Sequence, residues 1–462
     1  MRSGRPAASP CDVMSALEEH LFRHECGRIV AALTRIFGVH NLALAEDVAQ
    51  DAFCRALEVW KVRGIPDNPA AWLMTTAKNR AFDVMRRERT ARTFAPELAR
   101  LLEDGRTMEP VLEEAFAAPA IRDEQLRLMF SCCHPRLAED VQVALILNIL
   151  CGFGAPEIAA AFLASRAAIE KRLSRGKKVL ATARRVFDLS DAEFAARLTA
   201  VRAALYLLFN EGYHGAGAAS AIQVELCEEA IRLVVLLQEY PAAATPETAA
   251  LAALMALHAA RLPARLDDAG DFHPLFDQDR SRWDHRLIEH GLAWLERSAS
   301  GSTLTPYHVE AAIAAAHASA RTAAATDWVL IVSLYDRLMA VAPSPVVALN
   351  RAIAVAQRDG PEAGLDALTA IDNAGQLAHY PFHAAARGEL ELRCGRPDAA
   401  RTQFAAALAL ARNPAERRFL DKRLAACRLD HGASESQAHP LTAVADSHQK
   451  RVRRRAPRTS SH

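Results

Sequence analysis

A chain of 462 residues exceeds what one hydrophobic core ordinarily serves, so two or three domains are expected, each able to bury a core of its own. Half the residues are apolar and Ala with Leu dominates nearly every segment, which favours helices because Ala gives up the least side-chain entropy there; the expected fold class is all-α. A formal charge of +1 excludes no class of partner, because acidic and basic residues are segregated along the chain and must be read locally.

No apolar run reaches the roughly eighteen residues that a membrane span needs, and the N-terminus lacks the apolar core of a signal peptide. A cytoplasmic protein with no membrane partner is therefore expected. Nine irregularly spaced cysteines argue for reduced thiols rather than a disulfide framework.

Residues 1–14 are rich in Pro, Ser and Gly and are expected to be disordered, with Met14 a plausible alternative start. Residues 15–92 read as one helical unit. In "LAEDVAQDAFCRALEVW", Ala45, Val48, Ala49, Ala52, Phe53, Ala56 and Trp60 follow helical spacing and form one buried stripe. The opposite face carries Glu46, Asp47, Gln50, Asp51 and Glu58. Two readings fit it, a solvated face or an acidic surface that docks on a basic protein. Gly64, Pro66 and Pro69 then force a loop at 62–69, after which Asn68 can cap and Pro69 can open a second helix anchored by Trp72. That helix turns basic at Lys78, Asn79, Arg80, Arg86, Arg87 and Arg89. Helical spacing gathers Asn79, Asp83 and Arg86 near one side, suited to phosphates through Arg and base edges through Asn. The plainer reading is a basic helix end favoured by the helix dipole.

Residues 93–120 lose periodicity, hold "LLEDGRTMEPVLEE" and read as an exposed linker. A second unit, 121–187, contains "GAPEIAAAFLASRAAIEKRLSRGKKVL". Pro156 and Glu157 start a short helix, "LAS" breaks it, and Ser165 can cap the next. Ile158, Ala159, Phe162, Leu163, Ile169 and Leu173 supply the small core of two steeply crossing helices. As a helix-turn-helix, the stretch would present Arg166, Ala167, Ala168, Glu170 and Lys171 to bases, with Arg172, Arg175 and Lys178 nearer phosphates. A structural helical hairpin is the alternative.

Residues 190–430 are a succession of amphipathic helices. Two stretches near the end share a helix, a glycine at 360 or 395 and an acidic-Ala helix start, an offset of 35 residues against a tetratricopeptide period of about 34. Asn210, Glu211, Asp277, Asp279, Arg280, Arg282 and Asp284 lie among apolar residues and are expected to form an internal ion-pair network, a ligand or metal pocket being the sharper alternative. Residues 431–462 read as a disordered basic tail. "SCCHP" at 131–135 offers thiols and an imidazole but no second ligand pair for zinc, and no nucleophile elbow or phosphate loop is present, so no metal, cofactor or catalytic residue is assigned.

Taken together, the acidic "AEDVAQDAF" helix, the Pro-bounded loop, "AWLMTTAKNRAFDVMRR", the acidic linker and a helix-turn-helix about 80 residues further on resemble the two-domain core of sigma-70-family factors of the extracytoplasmic-function type. "YLLFNEGY", "DQDRSRWD", "TDW" and "ALNRA" look like the long helical, tetratricopeptide-like C-terminal extension of one such group. The resemblance implies a non-enzymatic factor whose partners are core RNA polymerase, through the β′ coiled coil and the β flap, and promoter DNA. Glu46, Asp47, Gln50 and Asp51 would bind the β′ coiled coil. The loop from Lys61 through Arg63 to Asn68 would hold a flipped base of the −10 element, with Asn79, Arg80, Arg86 and Arg87 on adjacent DNA. Ser165, Arg166, Ala167, Ala168, Glu170, Lys171, Arg172, Arg175 and Lys178 would serve the −35 element, and the extension would act in cis or take a protein partner of its own. Competing readings are a ligand-responsive helix-turn-helix regulator and, more remotely, a hydrolase built on the acidic-Arg cluster.

Overall fold

The computed structural model describes residues 10–87, 108–162, 164–182, 191–214, 223–267, 271, 273–371, 377–378, 380–411 and 414–429, and no β-strand occurs among them. The chain forms two compact units, the first running to Ala204 apart from 161–163, the second from Leu205 onward. Among the described residues no helix is long and apolar enough to cross a membrane.

The first unit contains α1 (Pro10–Phe37), α2 (Leu42–Arg63), α3 (Pro69–Arg87), α4 (Met108–Ala115), α5 (Ala118–Cys132), α6 (Glu139–Ile149), α7 (Ala155–Ala161), α8 (Arg166–Thr182) and the start of α9 (Asp191–Tyr213). Its centre is α1, where Ile29, Leu33, Ile36 and Phe37 are fully buried. This helix packs on α2 and α3 and also on α5 and α6, so the two helical units that the sequence separates share one central helix. Gly27 explains how closely they meet: a Cβ there would stand 2.0 Å from the carbonyl oxygen of Leu150. Only glycine lets the two backbones approach to that distance.

Two stretches depart from expectation. Helix α1 already begins at Pro10, a residue that suits a first turn, inside the segment read as disordered. The segment read as a linker contains α4, tied down by Arg35 to Glu114 at 3.4 Å and Lys78 to Glu113 at 3.7 Å, with Ala115 buried. Its charges obscured the helical pattern because they make its contacts. The expected tail at 431–462 lies outside the described residues, as do 1–9 and most of the linker.

The second unit continues α9 and adds α10 (Val224–Glu239), α11 (Pro246–Ala259), α12 (Leu262–Arg265), α13 (His285–Ser298), α14 (Pro306–Ser319), α15 (Trp328–Val341), α16 (Pro345–Asp359), α17 (Pro361–Thr369), α18 (Pro381–Arg393), α19 (Pro397–Ala409) and α20 (Pro414–Leu429). Helix α11 is buried along most of its length beneath α10, α13 and α14. From α14 on, each helix packs on the next. Gly360 and Gly395, at φ 99° and 73°, make the turns of two successive hairpins, α16–α17 and α18–α19, which is why the 35-residue similarity falls on them.

Two acidic residues of "DQDRSRWD", Asp279 and Asp284, turn out to be helix caps, where an ion-pair role was expected of them. Asp284 accepts from the Arg286 and Leu287 amides at the start of α13, and Asp279 accepts from the Ser281 amide and hydroxyl. Arg280 donates to the carbonyls of His317 and Ala320 at the end of α14 and to Thr326, with its guanidinium over the Trp283 ring at 4.8 Å. Unpaired backbone groups at helix ends draw in these charges more strongly than the charges draw one another.

Candidate polymerase and nucleic-acid interfaces

Helix α2 buries Leu42, Ala45, Val48, Ala49, Ala52, Ala56 and Trp60, leaving Phe53 half-buried against Phe22. Asp47, Gln50 and Asp51 are exposed on the opposite face, as the spacing predicts. The strip is not uniformly free. Arg80 of α3 donates to Asp51 at 2.8 Å, and Lys177 of α8 reaches both carboxylate oxygens of Glu46 at 2.6 and 2.8 Å.

Helix α2 stops at Gly64, whose φ of 82° lets its amide donate to the Trp60 carbonyl. Asn68 then caps α3 by accepting from the Ala71 amide at 3.0 Å. Lys61, Val62 and Arg63, expected in the loop, are instead the last turn of α2, because the chain leaves the helix only at Gly64; they are exposed, as are Asp67 and Asn68 beyond it, and Val62 is 83% accessible. Along α3, Asn79, Asp83 and Arg86 share one exposed face, whereas Arg80 is engaged with Asp51; the side chain of Arg87 lies outside the described residues.

In the second half of the unit, Glu157 accepts from the Gly154 amide at the start of α7, and Ser165 caps α8 through the Ala168 amide at 3.2 Å. Ile158, Ala159, Ile169 and Leu173 are buried and Phe162 half-buried; Leu163 lies outside the described residues. Gly176 sits where a Cβ would come within 2.7 Å of Leu145, so α8 lies close on α6. Ser165, Arg166, Ala167, Glu170, Lys171, Arg175 and Lys178 form the exposed strip, with Ala168 half-buried beside it. Arg166 donates to Glu170 at 2.7 Å, which points its guanidinium along the strip. Arg172 is turned away from it, toward Asp140 at the start of α6 at 3.3 Å, so it braces the two helices. Burial pushes the Cys132 thiol up to about 12 and the Cys133 thiol well up too, so the two thiols finish α5 inside the core, while half-buried His134 beyond them accepts from the Arg136 amide through Nδ1.

The sigma-70 region 2 family model matches residues 21–91 and the sigma-70 region 4 model residues 127–180. Over 165 residues the chain is 32% identical to RNA polymerase sigma factor CarQ of Myxococcus xanthus, covering 35% of this chain and 86% of that protein. This chain belongs to the sigma-70 family of RNA polymerase sigma factors. It is of the extracytoplasmic-function type with a long, helical, tetratricopeptide-like C-terminal extension. Residues 197–299 match a family of unknown function (DUF6596). The sigma factor is also 41% identical over 409 residues to an uncharacterized protein of Rhizobium meliloti (strain 1021), covering 88% of this chain and 93% of that protein. No solved structure matches. Region 2 thus spans most of α1 with α2 and α3, and region 4 runs from α5 into α8.

Sequence reading missed the pairs that tie this sigma factor's surfaces together: Glu46 with Lys177, Asp51 with Arg80, Asp140 with Arg172. Gly27 and Gly176, glycines inside helical patterns, were the available signal, since such a residue usually marks a close helix approach.

Proposed function

We propose that this sigma factor docks on the β′ coiled coil of core RNA polymerase through Asp47, Gln50 and Asp51 with Glu46 at the edge of the strip. Opening the −10 element falls to the last turn of α2 with the 64–68 loop and to the Asn79–Arg86 face, and reading the −35 element to the outward strip of α8, with the β flap contacting region 4. Flipping a base out of the stack costs a few kcal/mol, which a loop held at both ends by Gly64 and Asn68 offsets by arriving already ordered. The observation that carries this reading is the pairing, in one unit, of an exposed acidic strip on α2 with an exposed Arg- and Lys-bearing strip on a Ser165-capped α8.

The extension governs these activities in cis. Its support is that the alignment to the Rhizobium meliloti protein is twice as long as the first unit, so the extension accompanies regions 2 and 4 in that relative. Transcription in vitro with core polymerase and start-site mapping tests both statements. Promoter-specific initiation by the full chain, altered in a chain ending at Ala204, is expected. No specific initiation by either form overturns the sigma-factor reading at these residues; equal initiation by both overturns control in cis.

A further inference from the structure

The stretch between α12 and α13 does more than join them. Arg280 reaches the His317 and Ala320 carbonyls at the end of α14. Phe276 stacks on Trp328, the first residue of α15, with ring centroids 5.5 Å apart and planes 18° from parallel. Asp271 gives one carboxylate oxygen to Arg418 Nε and the other to Lys422 Nζ, each at 2.6 Å. Those two cations stand one turn apart on α20. Midway, Asp277 adds its charge to the burial that pushes the Glu389 carboxyl of α18 up. Helices α14 and α15 lie at one end of the array and α20 at the other, so the stretch crosses the array instead of following it.

Two kinds of attachment hold it there. Leu275 and Trp283 are buried in a core shared with α11, α13 and α14, and Gln278 is buried beside them in sequence. The contacts with α15 and α20 differ. Phe276 is half-buried, and Arg418 and Lys422 keep 46% and 64% of their side-chain surface exposed around Asp271. Ion pairs at that exposure are weak, because water screens them and two long side chains must be ordered to make them. A core residue cannot leave without opening a cavity, whereas a half-exposed ring and a surface carboxylate can be exchanged for equivalents. What they cover is a fork of two cations and, within about 17 Å of extended chain, the face of an indole. Such a fork takes a carboxylate, and such a face takes an aromatic ring.

We infer that Arg418, Lys422 and Trp328 form a docking site for an extended segment of a partner protein that carries a carboxylate and, five residues on, an aromatic ring, and that the chain's own Asp271 and Phe276 occupy it as a stand-in. The partner has to displace the stand-in, so its apparent affinity is reduced to the fraction of molecules with the site open. A second copy offers the same two side chains, but its Leu275 and Trp283 are locked in their own core, which favours a partner with a free segment. The site lies within the extension, and none of it depends on the roles given to regions 2 and 4.

The probe is a fluorescein-labelled synthetic peptide, DDAGDFHPLFDQ, matching residues 267–278, and fluorescence polarisation reads its binding to the full chain. Wild type should bind it weakly. Asp271→Asn with Phe276→Ala, which empties the site and leaves Leu275 and Trp283 in place, should bind it about tenfold more tightly. In that background Arg418→Glu with Lys422→Glu should remove binding, and Trp328→Leu should weaken it about fivefold. A peptide with Asn and Ala at the positions matching Asp271 and Phe276 should bind no form. Where the double variant loses the second unit's melting transition, Asp271→Asn alone carries the comparison, with a gain of about threefold expected. Equal binding by wild type and the emptied chain overturns the stand-in. No binding by the emptied chain, or binding that survives charge reversal at Arg418 and Lys422, overturns the site. Concentration-dependent dimerisation of the wild type in sedimentation, lost in Lys422→Glu, makes a second copy the occupant and overturns the partner.

Discussion

Charged residues do opposite work in the two units. In the first they stand on helix faces, at Asp47 and Asp51 on α2 or Arg166, Glu170 and Lys171 on α8, and several remain open to solvent. In the second, the charges that looked most site-like are taken up by the backbone: Asp279 and Asp284 by amides, Arg280 by carbonyls. A charged cluster among apolar residues therefore says little about function until the nearby helix ends have been satisfied. The open face of a helix is where a partner can still be recognised.

Breaking that contrast at its strongest point, Asp47→Arg with Asp51→Arg should weaken core-polymerase binding by more than about 100-fold, since reversed charge meets the partner and Arg80 loses its carboxylate. Co-purification or titration measures it, and affinity within threefold of wild type would make the strip a merely solvated face. Arg280→Leu leaves the His317 and Ala320 carbonyls without their donor, and should destabilise the second unit by about 3 kcal/mol in a urea titration while the first unit's transition stays put. Gly27→Ala forces a methyl onto the Leu150 carbonyl and should cost the first unit about 2 kcal/mol by the same titration. Arg166→Ala should leave core binding intact and reduce discrimination between −35 sequences by about 1–2 kcal/mol in competition binding.

The smallest effect concerns Glu389, which is 2% exposed and whose carboxyl burial pushes from its ordinary 4.5 up to about 7, against the pull of Arg423 and Arg393. A carboxyl raised in the folded chain contributes stability that is present below pH 4.5 and lost as pH rises through 7. Glu389→Gln should therefore flatten the pH dependence of the second unit's stability in that window by about 1 kcal/mol, and melting curves at pH 5 and 8 compare the slopes. A steeper dependence in the variant would reverse the assignment.

Most local structure was readable from local causes. The stripe from Ala45 to Trp60, the Asn68 and Ser165 caps, the break before α8 and the paired hairpins at Gly360 and Gly395 each depend on residues within a turn or two of one another. Helix α4 escaped because Glu113 and Glu114 make its contacts with charges, and an acidic run without apolar period reads as linker. The exposed strip of α8 was legible except at Arg172, which shares helical spacing with its neighbours but has Asp140 within reach.

By itself the sequence determined which faces are apolar, where helices stop and which two DNA-binding motifs follow each other, because capping and periodicity act over a few residues. Tertiary structure alone decided what those faces meet. Glu46 and Lys177 are 131 residues apart, and no periodic pattern links a carboxylate on one helix to an ammonium on another; α1, packing on both halves at once, brings them together.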